Sequence, residues 1–159
     1  MSTQRIVTNL WFDTQAVEAA EYYCSIFEDS RILAVVPYPE GTDKVGTAMV
    51  VEFELLGQRL VAINGGPQFT FDEAISLQVE CEDQAEIDYY WEKLSDGGSE
   101  APCGWLKDRY GLSWQITPKG VDDLFRGDPA GAARAVQAMF EMKKLDIAAL
   151  QAARDGVPV

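Results

Sequence analysis

The sequence predicts an α+β fold in which one structural module occurs twice and a helical tail follows. Three observations predict it. Strand-like and helix-like spacings of apolar residues run through the same order twice. The two halves match in one register at an offset of about 67 residues, which lays Leu10, Phe12, Glu21, Tyr22, Tyr23 and Phe27 on Leu77, Val79, Asp88, Tyr89, Tyr90 and Leu94. Beyond residue 118 the composition turns to Ala-rich helix.

The first module covers about residues 5–65. Residues 5–12 read as a strand, with Ile6, Thr8, Leu10 and Phe12 alternating against Val7, Asn9 and Trp11. Ala16, Ala19, Ala20, Tyr23, Cys24 and Phe27 fall at helical spacing, which predicts an amphipathic helix over 15–27. Strands follow at Arg31–Val36, Gly46–Leu56 and Gln58–Asn64. In the middle one Met49, Val51, Phe53 and Leu55 alternate with Glu52 and Glu54, so one face is buried and one wet. Leu56-Gly57-Gln58 is the hairpin turn.

The second module covers about residues 74–118. Ile75, Leu77 and Val79 predict a strand, and Ile87, Tyr90, Trp91 and Leu94 a helix that Gly97-Gly98 ends. Two shorter strands are expected between Ser99 and Pro118, the last at Leu112–Thr117. In the tail, 119–159, Asp128 is the expected N-cap of a helix with Pro129 at its first position and Ala132, Val136, Met139 and Phe140 on its apolar face. Asp146 caps a last helix carrying Ile147 and Leu150. Such a tail covers the sheet or a partner subunit. The whole of 1–159 is read as a single domain, a length able to bury a core without staples.

Composition narrows the function. The net charge is −13 and no Lys/Arg stripe occurs, a field that repels phosphate backbones and anionic lipid. Nucleic acid and membrane are therefore not expected partners. The chain has no histidine, which excludes Ser–His–Asp and Cys–His nucleophile pairs and any imidazole metal ligand. Cys24, Cys81 and Cys103 cannot all pair and show no CxxC spacing, which suits a reducing compartment. Met1 to Arg5 lacks a signal-peptide layout, and no apolar run is long enough for a membrane span, so the expected location is cytoplasmic.

Leu10-Trp11-Phe12-Asp13, Glu18-Ala19-Ala20-Glu21-Tyr22-Tyr23, Val51-Glu52-Phe53-Glu54-Leu55, Asn64-Gly65-Gly66-Pro67, Cys103-Gly104-Trp105-Leu106-Lys107-Asp108 and Tyr110-Gly111-Leu112-Ser113-Trp114-Gln115 run through the chain in order. Together with a repeated βαβββ plan, they resemble the vicinal-oxygen-chelate (glyoxalase/bleomycin-resistance/dioxygenase) superfamily. The similar branch is the PhnB-like one, labelled 3-demethylubiquinone-9 3-methyltransferase-like. The resemblance implies two pseudo-symmetric modules closing a curved, mixed β-sheet cradle around a small molecule, in a homodimer. Metal-using relatives hold a divalent ion with four side chains, and those positions fall here at Val7 or Thr8, near Ala62, at Ala74 and at Gln115. Gln115 alone among them is a convincing donor, and one neutral amide oxygen does not hold a divalent cation. Gln68 stands where close relatives often carry His. No metal and no cofactor is therefore expected. Nor does S-adenosylmethionine fit: it calls for a doubly wound parallel sheet with a Gly-rich strand-to-helix turn, whereas Gly65-Gly66-Pro67 leads toward Phe69 and Phe71 without helical periodicity.

Alternation selects the residues that face such a cradle. If Leu10 and Phe12 pack on the helix, Asn9 and Trp11 face the ligand. If Ile75, Leu77 and Val79 do so, then Ala74, Ser76 and Gln78 face it, joined by Ser113 and Gln115 from the last strand. Asn64, Phe69 and Trp105 complete the expected ligand-binding set, with Trp105, Phe69 and Phe71 on loops as an aromatic wall or as packing for the tail or a subunit. A filled, merely hydrogen-bonded interior is the competing reading. Cys103 reads as a structural thiol, and the acid pairs Asp13/Glu80 and Glu52/Glu54 as strand-end and wet-face residues, so no catalytic residue is assigned. The expected function is metal-free small-molecule binding. The alternative is an enzyme of isomerase, lyase or dioxygenase type.

Overall fold

The computed structural model describes residues 3–158, so the beginning of the segment Met1 to Arg5 lies outside the described residues. The chain forms two compact units, 1–71 and 72–159.

The first unit contains β1 (Thr8–Phe12), α1 (Ala16–Ile26), β2 (Ser30–Pro37), β3 (Ala48–Leu55) and β4 (Gln58–Asn64). Its sheet has the order β1-β4-β3-β2; β1 and β4 run parallel and the remaining pairs antiparallel. The alternation read from the sequence sorts the two faces. Leu10, Phe12, Val51, Phe53, Leu60 and Ala62 are buried on the helix side. From α1, Ala16, Ala19 and Ala20 let the helix lie close, and Tyr23 stacks on Phe53 with ring centroids 6.2 Å apart. Burying one such aromatic contributes about 2–3 kcal/mol. Between β3 and β4, Leu56 and Gly57 have φ of 48° and 80°, a two-residue turn with both central residues left-handed. Strand β1 begins at Thr8 rather than at residue 5.

The second unit repeats this plan with β5 (Ser76–Cys81), α2 (Gln84–Ser95), β6 (Ser99–Glu100), β7 (Trp105–Lys107) and β8 (Ser113–Pro118), in the sheet order β5-β8-β7-β6. The adjacent tyrosines of both helices make ring contacts, Tyr22 with Tyr23 at 5.6 Å and Tyr89 with Tyr90 at 5.2 Å. Three strands follow α2 where the sequence suggested two, because β6 is only two residues long and leaves no periodicity to read. Trp105 lies on β7 and not on a loop. Ala74 and Ile75 precede β5: the Ala74 N–H donates to Asp72 Oδ1 at 2.9 Å, and Ile75 is 58% exposed instead of packed on the helix. Asp83 caps α2 by accepting the Glu86 N–H, while the Glu86 carboxylate accepts the Glu82 N–H, close to a capping box.

The tail comprises a 3-10 turn at Val121–Phe125, α3 (Pro129–Phe140) and α4 (Ile147–Asp155). Asp128 and Asp146 cap the two helices as the sequence predicts. The buried face of α3 differs from the expected one: Gly131 and Ala135 are buried, Ala132, Val136 and Met139 half-buried, and Phe140 is 64% exposed. The reason is the close crossing of α4, whose Arg154 carbonyl would lie 3.0 Å from a Cβ at Gly131. The tail fastens to its own module. The Gln84 side chain donates to the Leu145 carbonyl and accepts the Ile147 N–H. The N–H groups of Cys103 and Gly104 donate to the carbonyls of Met142 and Lys143, and Lys144 pairs with Asp88 at 2.7 Å.

Candidate functional site

The face of the second sheet opposite α2 carries a small grid of polar side chains. Register places Lys107, Ser113 and Ser76 in one row and Trp105, Gln115 and Gln78 in the next. Four of the residues expected at a ligand, Ser76, Gln78, Ser113 and Gln115, thus share a face, and Trp105 joins them from β7. Two hydrogen bonds cross between β5 and β8. Gln115 Nε2 donates to Ser76 Oγ and Gln78 Nε2 donates to Thr117 Oγ1, both at 2.9 Å. Ser113 differs from its neighbours. It is 1% exposed, and its hydroxyl has no hydrogen-bond partner among the described residues. A buried hydroxyl left unpaired costs about 1–3 kcal/mol, and among the described residues Arg59 Nε is the other buried side-chain polar atom without a hydrogen-bond partner. Beside it the Lys107 ammonium lies 2.5 Å from Glu73 Oε1. Its hydrogen bond and charge hold the Glu73 carboxyl below the usual range.

The first unit has its own face opposite α1, holding Asn9, Trp11, Val61 and Ile63. Asn9 is exposed and its amide donates to the Val7 carbonyl. Trp11 is fixed by the Gly-Gly-Pro turn: its indole N–H donates to the Gly66 carbonyl at 2.9 Å, and a Cβ at Gly65 would lie 2.2 Å from the ring. Phe69 meets Trp11 edge to face at 5.0 Å, while Phe71 packs on Phe12. The acids on this sheet are paired, Glu52 with Arg59 at 3.0 Å and Glu54 with Arg31 at 3.4 Å.

Asn64 lies apart from these residues. It shares the helix side with Phe12, is 8% exposed, accepts the Ala16 N–H and donates to the Ala48 carbonyl. Its side chain therefore ties the start of α1 to β3. Next to it a cavity of about 290 Å³, lined by Asp13, Thr14 and Val17 together with Tyr38, Lys44 and Thr47, went unread in the sequence, because the last three come from the irregular 38–47 loop.

The donors do not suit the four-ligand metal site of metal-using relatives. Among the described residues no group of three or more His, Cys, Asp or Glu lies close enough to hold an ion. Ala62 is buried on the helix side, Ala74 lies outside the strand, and the Gln115 amide is engaged with Ser76. Thiol chemistry has as little support. The three cysteines are free, and burial pushes the Cys81 thiol up to about 12, with Glu86 and Asp83 adding to the effect. Burial also raises Cys24, against a hydrogen bond with Ser30. Lys107 and Arg109, the cations near Cys103 in sequence, pair with Glu73 and Asp96.

Two βαβββ modules of one topology, each with a helix on one sheet face, define a vicinal-oxygen-chelate, glyoxalase-like protein. Among solved structures, the putative 3-demethylubiquinone-9 3-methyltransferase, PhnB protein, from Bacillus cereus is 38% identical, with 72% of this chain and 99% of that one covered and a TM-score of 0.67. Protein PA1353 from Pseudomonas aeruginosa shares the fold at 21% identity, covering 74% and 99%, with a TM-score of 0.62. The fosfomycin resistance protein FosX from Listeria monocytogenes shares it at 14% identity, covering 80% and 100%, with a TM-score of 0.53. No curated protein matches the chain. Residues 4–117 match the family described as 3-demethylubiquinone-9 3-methyltransferase, and the chain belongs to that family.

Proposed function

We propose that the chain is a small-molecule-binding protein of the glyoxalase/bleomycin-resistance type that works without a metal. Its ligand lies against the polar face of the second sheet, held by Ser113, Gln115, Ser76 and Gln78 and bordered by Trp105. The observation that carries this reading is the unpaired hydroxyl of Ser113. Native structures rarely bury a polar group without a partner, and a ligand atom is the partner that explains one amid other polar side chains. Asn9, Trp11 and Phe69 are proposed as ligand contacts on the first module's own sheet face. Asn64 acts indirectly, by holding the start of α1.

Methyl transfer is not part of this reading. The sheets are mixed and four-stranded, and neither has the doubly wound parallel arrangement that typical S-adenosylmethionine enzymes use at a Gly-rich turn. The protein is further proposed to work as a cytoplasmic homodimer. Three free cysteines support the reducing compartment. Among the described residues no helix is long and apolar enough to cross a membrane. A monomer by light scattering at high micromolar concentration would refute the dimer.

The Ser113→Ala variant tests the binding reading. Removing an unpaired buried hydroxyl should stabilise the free protein by about 1 kcal/mol while weakening every ligand that raises the wild-type melting temperature. A variant that lost stability and kept its ligands would show that the hydroxyl serves the fold alone.

A further inference from the structure

We infer that Glu73 sets the charge selectivity of this face, and that its ligand is a neutral molecule with an amide- or lactam-type edge. This rests on the binding reading above and adds the class of ligand. Two separate features lead to it.

The first is charge. Lys107 is the cation in the register row that holds Ser113 and Ser76, and its ammonium is already 2.5 Å from Glu73. An anionic ligand would have to displace Glu73 or lie unpaired next to a buried hydroxyl, and burying an unpaired charge is costly. A FosX variant has been solved with Mn(II) and a dihydroxypropylphosphonic acid. This face offers neither a metal-ligand cluster among the described residues nor an uncommitted cation in that row to such an anion.

The second is the pattern of donors and acceptors. Gln115 gives one Nε2 hydrogen to Ser76 and Gln78 one of its own to Thr117, so each retains its Oε1 as an acceptor beside a second N–H. The Ser113 hydroxyl retains its donor. Ser76 Oγ accepts from Gln115 and so has its hydrogen to give. Amide groups with an open carbonyl in one row, next to hydroxyl donors in the other, match a group that presents N–H and C=O side by side. The ligand N–H donates to Gln115 Oε1 and its carbonyl accepts from Ser113 Oγ. A carboxylate can only accept and leaves the two glutamine carbonyls unmet, and an ammonium can only donate and leaves the hydroxyl hydrogens unmet. Trp105, opposite Gln115 on β7, borders the ring to which the amide is attached.

Three probes of the same ring and different charge test this: benzamide, benzoate and benzylammonium, titrated into the full-length ¹⁵N-labelled chain. Benzamide is expected to shift the backbone amides of Ser76, Gln78, Ser113 and Gln115, with a Kd about five-fold or more below that of benzoate. In Glu73→Gln the ratio of benzoate to benzamide affinity should rise about three-fold at low salt and fall back at high salt, as expected for a partly exposed ion pair. Tighter binding of benzoate or benzylammonium by the wild type, or an unchanged ratio in Glu73→Gln, would overturn the inference and leave the binding reading intact. No shift at these four amides with any of the probes would overturn the binding reading, and this inference with it.

Discussion

The carboxylate of Asp108 accepts the indole N–H of Trp114 at 2.9 Å, with both residues almost wholly buried. Its other oxygen accepts the N–H groups of Tyr110 and Leu112. One side chain thus sets the turn between β7 and β8 and pins the strand that carries Ser113 and Gln115. Asp108→Ala should cost about 3–5 kcal/mol, because it strands three donors, and Asp108→Asn less, because the amide oxygen still accepts. Urea denaturation of both variants measures this, and a cost below 1 kcal/mol for Asp108→Ala would refute the role.

Trp11 and Gly65 should be energetically coupled. A methyl group at residue 65 falls within the indole, so Gly65→Ala is expected to cost about 1–3 kcal/mol in the wild type. In a Trp11→Leu background it should cost much less. A double-mutant cycle with no coupling would mean that the turn relaxes around the ring freely.

Leu56 occupies a left-handed position that disfavours it, at φ 48°, and is 52% exposed. Leu56→Asn creates the Asn-Gly pair this turn prefers, and should raise stability by about 0.5–1 kcal/mol without touching ligand binding. Thermal melts of the two proteins decide it.

Cys81 gives a prediction on the alkaline side. Its thiol is pushed up to about 12 in the fold, while an exposed thiol ionises near about 8.5. Below the lower value both states keep the proton and stability is independent of this group. Between the two values the unfolded chain loses its proton first, so stability falls as pH rises. The Cys81→Ala variant will be less stable throughout because of its cavity, but this part of the alkaline slope should vanish. An identical slope in wild type and variant would show that burial does not hold the proton.

Much of the fold was legible because its strands are half-buried. Leu10 and Phe12 against Asn9 and Trp11 is an alternation that burial itself imposes on a sequence, whereas on β8 the apolar Trp114 and Ile116 alternate with the polar Ser113 and Gln115 although Ser113 is buried too. The caps Asp128 and Asp146 were legible for a local reason too, since each bonds within three residues. What escaped depended on partners distant in sequence. The orientation of Asn64 follows from the pairing of Phe12 with Asn64 in parallel register. The buried face of α3 is set by where α4 crosses it. Asp108 resembled any loop acid until Trp114 was folded against it. Ala74 and Ile75 were given to a strand because the Asp72 turn that precedes β5 does not interrupt the alternation.

The tryptophans supply an optical readout of their own. Trp91 and Trp114 are sealed in the second module at 5% and 2% exposure, where emission should be blue and insensitive to iodide. Trp11 and Trp105 are half-buried and stand one on each polar-facing sheet surface. An aqueous quencher therefore samples the two surfaces and little else, and Trp11→Phe or Trp105→Phe assigns the signal to one module. Occupancy of either surface becomes a change in light from the unlabelled protein, measurable before any ligand has been named.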